Sequence, residues 1–291
     1  MSWIDGEVVI DFRSRPTTPE CLKYLDTPQV RRVMEILGTS APAPTDLSGY
    51  LEYLSEVGVD RVGLFGHVAQ DTNDWDISNE RVAELAAQSG GRIFTFAGIS
   101  CRGGMSAVRY VEHAIRDLSF AGISLEPFGD RTTADDRVLY PIYAKACELG
   151  VPVAITAGPL PYAGLGPVEG PALWSAEPIA IDRVATDFPE LTIIYSHTSW
   201  PWSNAVIAVA LRHPRVYFDT ELYYGLPGNE VLGLAIDRLV PERALFSSGY
   251  PIVPIEKARK EIESSGIQPK HLAGVFGGNA RRLLEMTQAA R

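Results

Sequence analysis

The sequence predicts an α/β protein, specifically a (β/α)8 TIM barrel that forms a single domain over residues 1–291 with extra C-terminal helices. Its 291 residues match the usual size of one such barrel with short extensions. Short apolar runs rich in β-forming residues alternate with longer amphipathic segments. The apolar runs are nearly continuous, which is typical of parallel strands covered on both faces.

The predicted strands share these apolar runs and occupy residues 8–12, 61–65, 93–97, 121–125, 152–156, 191–196, 215–219 and 244–248. Helices are predicted at 77–87, 105–118, 136–150 and 176–188, with further helices over 255–291. Asn279 is predicted to cap the last helix. The Pro/Gly-rich stretch 158–171 is predicted to be a long loop at the barrel mouth. An open doubly wound sheet is the alternative, but no glycine-rich phosphate loop follows Phe12.

The composition of the chain limits the kinds of binding partner and the location that we expect for the protein. The net charge of −10 argues against nucleic acid and anionic membrane surfaces. No apolar stretch approaches the roughly 20 residues of a membrane span, and the N-terminus does not resemble a signal peptide. The three cysteines lack a C-x-x-C pair and are expected to be free thiols. We therefore expect a cytoplasmic protein.

Basic and acidic side chains occur at the predicted strand ends, where barrel sites are built. Arg13 and Arg15 alternate along strand one, so both are expected to face the barrel axis. Two guanidiniums together suit a carboxylate or phosphate ligand. The alternative is that they pair with acidic side chains such as Glu126 and Glu221.

His197, after strand six, is the candidate catalytic residue. Histidine exchanges protons near neutral pH, which suits a general acid or base. The alternative is a hydrogen-bonded structural histidine. Trp200 is a candidate pocket wall, although packing of the loop explains it equally well. The predicted substrate-binding residues are Arg13, Arg15, Glu126, Thr156, Glu221 and Trp200.

Six segments appear in a characteristic order: I-D-F-R-S-R at 10–15, V-P-V-A-I-T-A-G at 151–158, F-P-E-L to P-W at 188–202, V-Y-F-D-T at 216–220, L-F-S-S-G-Y-P at 245–251 and G-G-N-A-R-R-L at 277–283. Together they resemble the amidohydrolase-2 branch of the amidohydrolase superfamily, which includes the aminocarboxymuconate semialdehyde decarboxylase-like enzymes. The resemblance spans nearly the whole chain and implies the same barrel.

The resemblance also implies a divalent metal, held by two strand-one histidines, a strand-five histidine and a strand-eight aspartate. The matching positions here are Arg13, Arg15, Thr156 and Gly249. Arginine has no lone pair for a metal, and its charge repels a cation. We therefore expect neither the family's metal centre nor any other cofactor on this chain. The alternative is an off-pattern ion held by His197, Glu126, Glu221 or His67.

Two functions follow from the resemblance and its departures. The preferred one is an auxiliary subunit that pairs with a metal-bearing amidohydrolase-like catalytic subunit, for example in a multicomponent hydroxylase, monooxygenase or hydrolase; self-association is the alternative assembly. The other is a metal-independent hydrolase or decarboxylase. It would act on a small carboxylate held by Arg13 and Arg15, with His197 as acid or base. The sequence does not distinguish these two functions from a third, a simple binding protein for a small acid.

Overall fold

The computed structural model describes residues 7–68, 77–156, 172–197, 200–221, 224–230 and 232–289 and shows an eight-stranded, all-parallel sheet in chain order. The predicted fold class is confirmed, and each strand begins and ends inside its predicted run or within one residue of it. The strands are β1 Ile10–Asp11, β2 Arg61–Phe65, β3 Ile93–Gly98, β4 Gly122–Leu125, β5 Val153–Thr156, β6 Ile193–Ser196, β7 Val216–Asp219 and β8 Ala244–Leu245.

The first and last strands join, so the sheet is a barrel rather than an open sheet. The backbone N–H of Phe12 donates to the carbonyl of Phe246 at 2.8 Å. Further along, the N–H of Arg15 donates to the carbonyl of Tyr250 at 2.9 Å, and Ser14 forms a parallel bridge with Tyr250. Barrel closure places the carboxyl ends of all eight strands around one mouth.

Helices alternate with the strands and cover the outside of the barrel. Among the described residues, no helix combines the length and the apolar character needed to cross a bilayer. The α-helices are α1 Pro19–Leu22, α2 Pro28–Leu37, α3 Leu47–Glu56, α4 Asn79–Gln88, α5 Gly104–Arg116, α6 Tyr140–Glu148, α7 Ile179–Asp187, α8 Ser203–Arg212, α9 Leu232–Leu239, α10 Ile255–Glu263, α11 Pro269–Ala273 and α12 Asn279–Ala289.

The C-terminal helices are present, but the predicted cap at Asn279 is wrong. Helix α11 continues through a π-helical turn, Gly274–Gly278, directly into α12, and Asn279 itself has a helical φ of −67°. No free helix N-terminus exists there for a cap to satisfy. The Asn279 amide instead donates to the carbonyls of Pro241 and Ala244 at 2.9 and 2.7 Å. It thereby ties α12 to the start of β8.

Aromatic rings fill the interior of the barrel on the side away from the carboxyl-terminal mouth. The ring of Phe12 lies 6.0, 5.3 and 5.5 Å from the rings of Phe65, Phe94 and Phe96. Leu283 of α12 belongs to the same buried cluster, so α12 closes the amino-terminal end of the barrel. A ligand site is therefore restricted to the carboxyl-terminal mouth.

Gly277 provides a test of this closure. A Cβ atom at Gly277 would lie 1.8 Å from the carbonyl oxygen of Val8, which is backbone and cannot rotate away. We expect Gly277→Ala to lower the free energy of unfolding by about 2 kcal/mol or more. Gly278→Ala is the matched control, since its nearest new contact is 3.4 Å away. Denaturant unfolding measures both, and equal stabilities would contradict the close approach.

Candidate active site

Arg13 lies at the centre of the mouth. It follows β1, and its Nη1 donates to the hydroxyl of Thr156 at 2.8 Å and to the hydroxyl of Ser196 at 3.0 Å. These hydroxyls are the last side chains of β5 and β6. The guanidinium carbon lies 4.9 Å from the centroid of Phe65, and the side chain is only 13% exposed. A permanent positive charge is therefore held in a fixed position across the barrel mouth.

Two buried glutamates flank this charge. Glu126 follows β4, and its Oε1 lies 3.5 Å from Nη2 of Arg13. Glu221 follows β7, and its Oε2 lies 3.5 Å from Nε of Arg13. For Arg13, the structure thus shows the acidic pairing that the sequence left open as an alternative to ligand binding.

Each glutamate in turn contacts a histidine. Nε2 of His67 lies 2.6 Å from Oε2 of Glu126, and Nε2 of His197 lies 3.2 Å from Oε2 of Glu221. Both imidazoles are buried. The mouth therefore contains two Glu–His pairs on either side of one guanidinium, and this set is called the Arg13 cluster below.

The sequence indicates that His67, at the end of strand two, could converge with His197, Glu126 and Glu221, but it was not selected as a site residue. Its position directly after β2 is the signal that identifies it, because side chains at that end of a barrel strand converge on the mouth. The signal was weak because a single histidine at a strand end is usually structural. Only the contact with Glu126 shows that it belongs to the cluster.

The backbone at His197 adopts a rare conformation. Its φ of 77° lies in the left-handed region, which is uncommon for residues other than glycine. The N–H of His197 donates to Oδ1 of Asp219 at 2.9 Å, while the hydroxyl of Ser196 donates to Oδ2 at 2.6 Å. Asp219, the last residue of β7, therefore fixes the position of His197.

The cluster shifts the pKa of its own acids. Burial works to raise the pKa of Glu126, but the charges of His67 and Arg13 prevail and lower it to about 2. For Glu221, burial is likewise outweighed by Arg13 and His197, and its pKa is lowered. Burial works to lower the pKa of Arg13, yet the two glutamates raise it. Glutamates and arginine are consequently ionised at neutral pH.

Two aspartates below the cluster behave in the opposite way. Burial raises the pKa of Asp11 to about 7, although the backbone N–H and the hydroxyl of Ser248 both donate to it. Burial and the nearby Glu221 raise the pKa of Asp219 to about 6. Neither aspartate has a cation as its main neighbour, so desolvation dominates.

The remaining predicted residues lie elsewhere around the mouth. The guanidinium of Arg15 lies 4.5 Å from the ring centroid of Tyr24, so the two arginines rest on different aromatic rings. The two-arginine fork stays a prediction. The indole of Trp200 donates to the carbonyl of Pro227 at 2.8 Å and links the loops after β6 and β7. The predicted mouth loop at 158–171 lies outside the described residues.

The closed barrel and a polar cluster at its carboxyl-terminal mouth define a protein of the (β/α)8 class with its site in the usual place. Comparison with family models then identifies the family within this class. The family model described as amidohydrolase matches residues 24–286, and the chain belongs to this amidohydrolase family.

Similar proteins include both decarboxylases and an uncharacterised barrel. A gamma-resorcylate decarboxylase from Polaromonas sp. is 24% identical over 72% of this chain and 76% of its own length. An uncharacterised TIM-barrel protein from Bordetella bronchiseptica is 29% identical, with a TM-score of 0.82 over 96% of this chain and 99% of its own. A dihydroxybenzoic acid decarboxylase from Polaromonas sp., with bound manganese and 2-nitroresorcinol, is 18% identical, with a TM-score of 0.68 over 97% and 98% of the two chains.

The side chains that the structure describes at the mouth do not fit a divalent metal. The guanidinium of Arg13 lies between Glu126 and Glu221, the carboxylates that would otherwise offer oxygen ligands. Arginine supplies no lone pair and repels a second cation. Across the described ranges, no three side chains of the metal-binding types are arranged to hold an ion. No chemical step below is therefore assigned to a metal.

The raised pKa of Asp11 predicts a pH dependence of stability. The folded-state pKa, about 7, exceeds the ordinary value of 3.8, so its stabilising effect is complete below about pH 4 and is lost as pH rises through about 7. Asn cannot titrate. Between about pH 5 and pH 7, wild type should lose roughly 2–3 kcal/mol more unfolding free energy than Asp11→Asn.

Urea unfolding at several pH values measures this difference. The exposed Asp117, on the outer surface after α5, provides the control variant Asp117→Asn. We expect this variant to follow wild type. If the unfolding free energy of Asp11→Asn falls as steeply between about pH 5 and pH 7 as that of wild type, Asp11 is not the group that loses a proton in this range.

Proposed function

We propose that this chain is a metal-independent decarboxylase of a small carboxylic acid, with Arg13 facing the substrate anion and His197 donating the proton. The observation that carries the proposal is the fixed guanidinium between two Glu–His pairs at the mouth of the barrel. The relatives named as decarboxylases of hydroxylated benzoates support this reaction class.

The charge of the Arg13 cluster suits an anionic substrate. The guanidinium of Arg13 is a permanent positive charge, and the proton that His197 would donate adds another while it is held. These positive charges attract an anionic substrate. Both hydrogens of Nη1 are taken by hydroxyls, whereas Nη2 only faces a carboxylate at 3.5 Å. We therefore assign the substrate carboxylate to Nη2, whose contact with Glu126 is longer than the hydrogen bonds of Nη1 and leaves an N–H that a second carboxylate can share.

The chemical step requires one proton and no oxidant. The imidazolium of His197 donates a proton to the carbon that bears the carboxylate. The electron pair of the breaking carbon–carbon bond remains with that carbon, CO2 leaves, and water returns a proton to the imidazole. Glu221, ionised and 3.2 Å from Nε2, stabilises the imidazolium and orients the ring.

The auxiliary-subunit hypothesis gains no support from the comparisons. The relatives above with a named activity are named as enzymes, and none is named as a subunit of an oxygenase. The site also contains what the sequence did not reveal, namely an acid–base group paired with an orienting carboxylate. The decarboxylase alternative therefore explains more of the site, and the subunit hypothesis stays a prediction.

Turnover of a panel of hydroxybenzoates in the presence of a strong chelator tests the proposal. CO2 release and the decarboxylated product are measured together. We expect wild type to be active, and His197→Gln to reduce kcat by about 100-fold or more, because a general acid contributes about that much.

His113→Gln is the matched control. This histidine pairs with Asp117 on the outer surface and is half exposed, so the variant should retain full activity. Full activity of His197→Gln would overturn the assigned role. Activity that appears only on addition of a divalent metal would overturn metal independence.

A further inference from the structure

The guanidinium of Arg13 is surrounded as a bound ligand would be. Nη1 donates to two hydroxyls, those of Thr156 and Ser196. Nη2 and Nε each face a different carboxylate, that of Glu126 or Glu221, at 3.5 Å. The guanidinium carbon lies 4.9 Å from the centroid of the Phe65 ring, within the range of a cation–π contact. Each nitrogen of the group therefore has its own partner, and the partners lie at the end of β5 and β6 or just after β4 and β7.

We propose that these partners form a binding pocket for a guanidinium-class cation, and that the chain fills this pocket with its own Arg13 in place of a separate cation. Arg13 is thus the resident cation of the site and the positioning residue for Glu126 and Glu221. The inference deepens the proposed function and rests on it for its catalytic consequence.

The pocket requires a cation because its carboxylates are buried. Two ionised glutamates at the mouth repel each other in a poorly hydrated environment, and burial alone would leave them protonated. Arg13 lies between them, and its charge contributes to lowering the pKa of both. Each ionised glutamate can then accept from its histidine. Removal of the cation should therefore disturb both Glu–His pairs together.

The shape of the pocket favours guanidinium over ammonium. One nitrogen of a planar guanidinium can donate to two hydroxyls while each of its other two nitrogens faces a carboxylate. An ammonium is a single point charge and cannot match this arrangement. The contact with the Phe65 ring adds a cation–π attraction to these hydrogen bonds and ion pairs. The guanidinium excludes a divalent ion from the same position, because two cations at that separation repel strongly.

Arg13→Ala opens the pocket and provides the first test. We expect its melting temperature to fall by roughly 6–20 °C, since two buried carboxylates lose their counter-charge. Methylguanidinium at millimolar concentrations should then raise the melting temperature of this variant in a saturable manner. Methylammonium and sodium chloride at equal ionic strength should not.

Arg92→Ala is the matched control. Arg92 also makes several hydrogen bonds, donating to the carbonyls of Leu51, Val59 and Asp60, but it faces no carboxylate cluster. It should lose stability without rescue by methylguanidinium. Equal rescue of both variants, or no saturable rescue of Arg13→Ala, would overturn the proposal.

Two further measurements apply if Arg13→Ala does not fold. Arg13→Lys keeps the charge and Arg13→Met keeps the apolar stem, so the lysine variant should melt higher than the methionine variant. Equal melting temperatures would overturn the role of the charge. Equilibrium dialysis of wild type against Mn2+ or Zn2+ should leave no stoichiometric metal, and one bound ion per wild-type chain would contradict exclusion by Arg13.

The outcomes separate this inference from the proposed function. If methylguanidinium restores the melting temperature of Arg13→Ala but wild type releases no CO2, the resident cation is supported and the decarboxylase proposal is overturned. If wild type decarboxylates its substrate but methylguanidinium does not rescue Arg13→Ala, the decarboxylase proposal is supported and the resident cation is overturned. Where both hold, methylguanidinium should also restore part of the kcat of Arg13→Ala, which a purely structural contact elsewhere would not do.

Discussion

One permanent positive charge, placed where little water reaches it, is the constraint on which the mouth of this barrel depends. A buried guanidinium is stable only if surrounding groups replace its hydration. For Arg13 these groups are hydroxyls from β5 and β6 and carboxylates that follow β4 and β7. The position of the charge thus depends on closure of the barrel, since an open sheet would not bring these strand ends together.

The same charge decides how neighbouring acids behave. Glu126 and Asp11 are both buried carboxyl groups, yet the pKa of Glu126 is lowered to about 2 and that of Asp11 is raised to about 7. Glu126 has cations beside it, whereas Asp11 has mainly the N–H and hydroxyl of Ser248. For these two carboxyl groups, the charges of His67 and Arg13 beside Glu126 decide which one holds its charge and which one holds a proton.

The barrel fold of this chain does not by itself define its site. The floor of aromatic rings and the C-terminal helix fill the interior below the mouth and do not depend on what the mouth contains. A relative with bound manganese has the same overall fold. In this chain the mouth of the barrel is organised around the side chain of Arg13. Function must therefore be argued from the side chains at the strand ends and not from the barrel itself.

The sequence by itself determined the barrel, because strand and helix patterns are local and repeat along the chain. It also identified Arg13, Glu126, Thr156, Glu221 and His197 as residues at strand ends. It did not determine whether Arg13 binds a ligand or the protein's own acids, nor that His67 joins the site. Those outcomes depend on contacts such as Arg13 with Thr156, which are 143 residues apart. Only closure of the barrel brings such distant groups within hydrogen-bonding distance, so only the tertiary structure decided them.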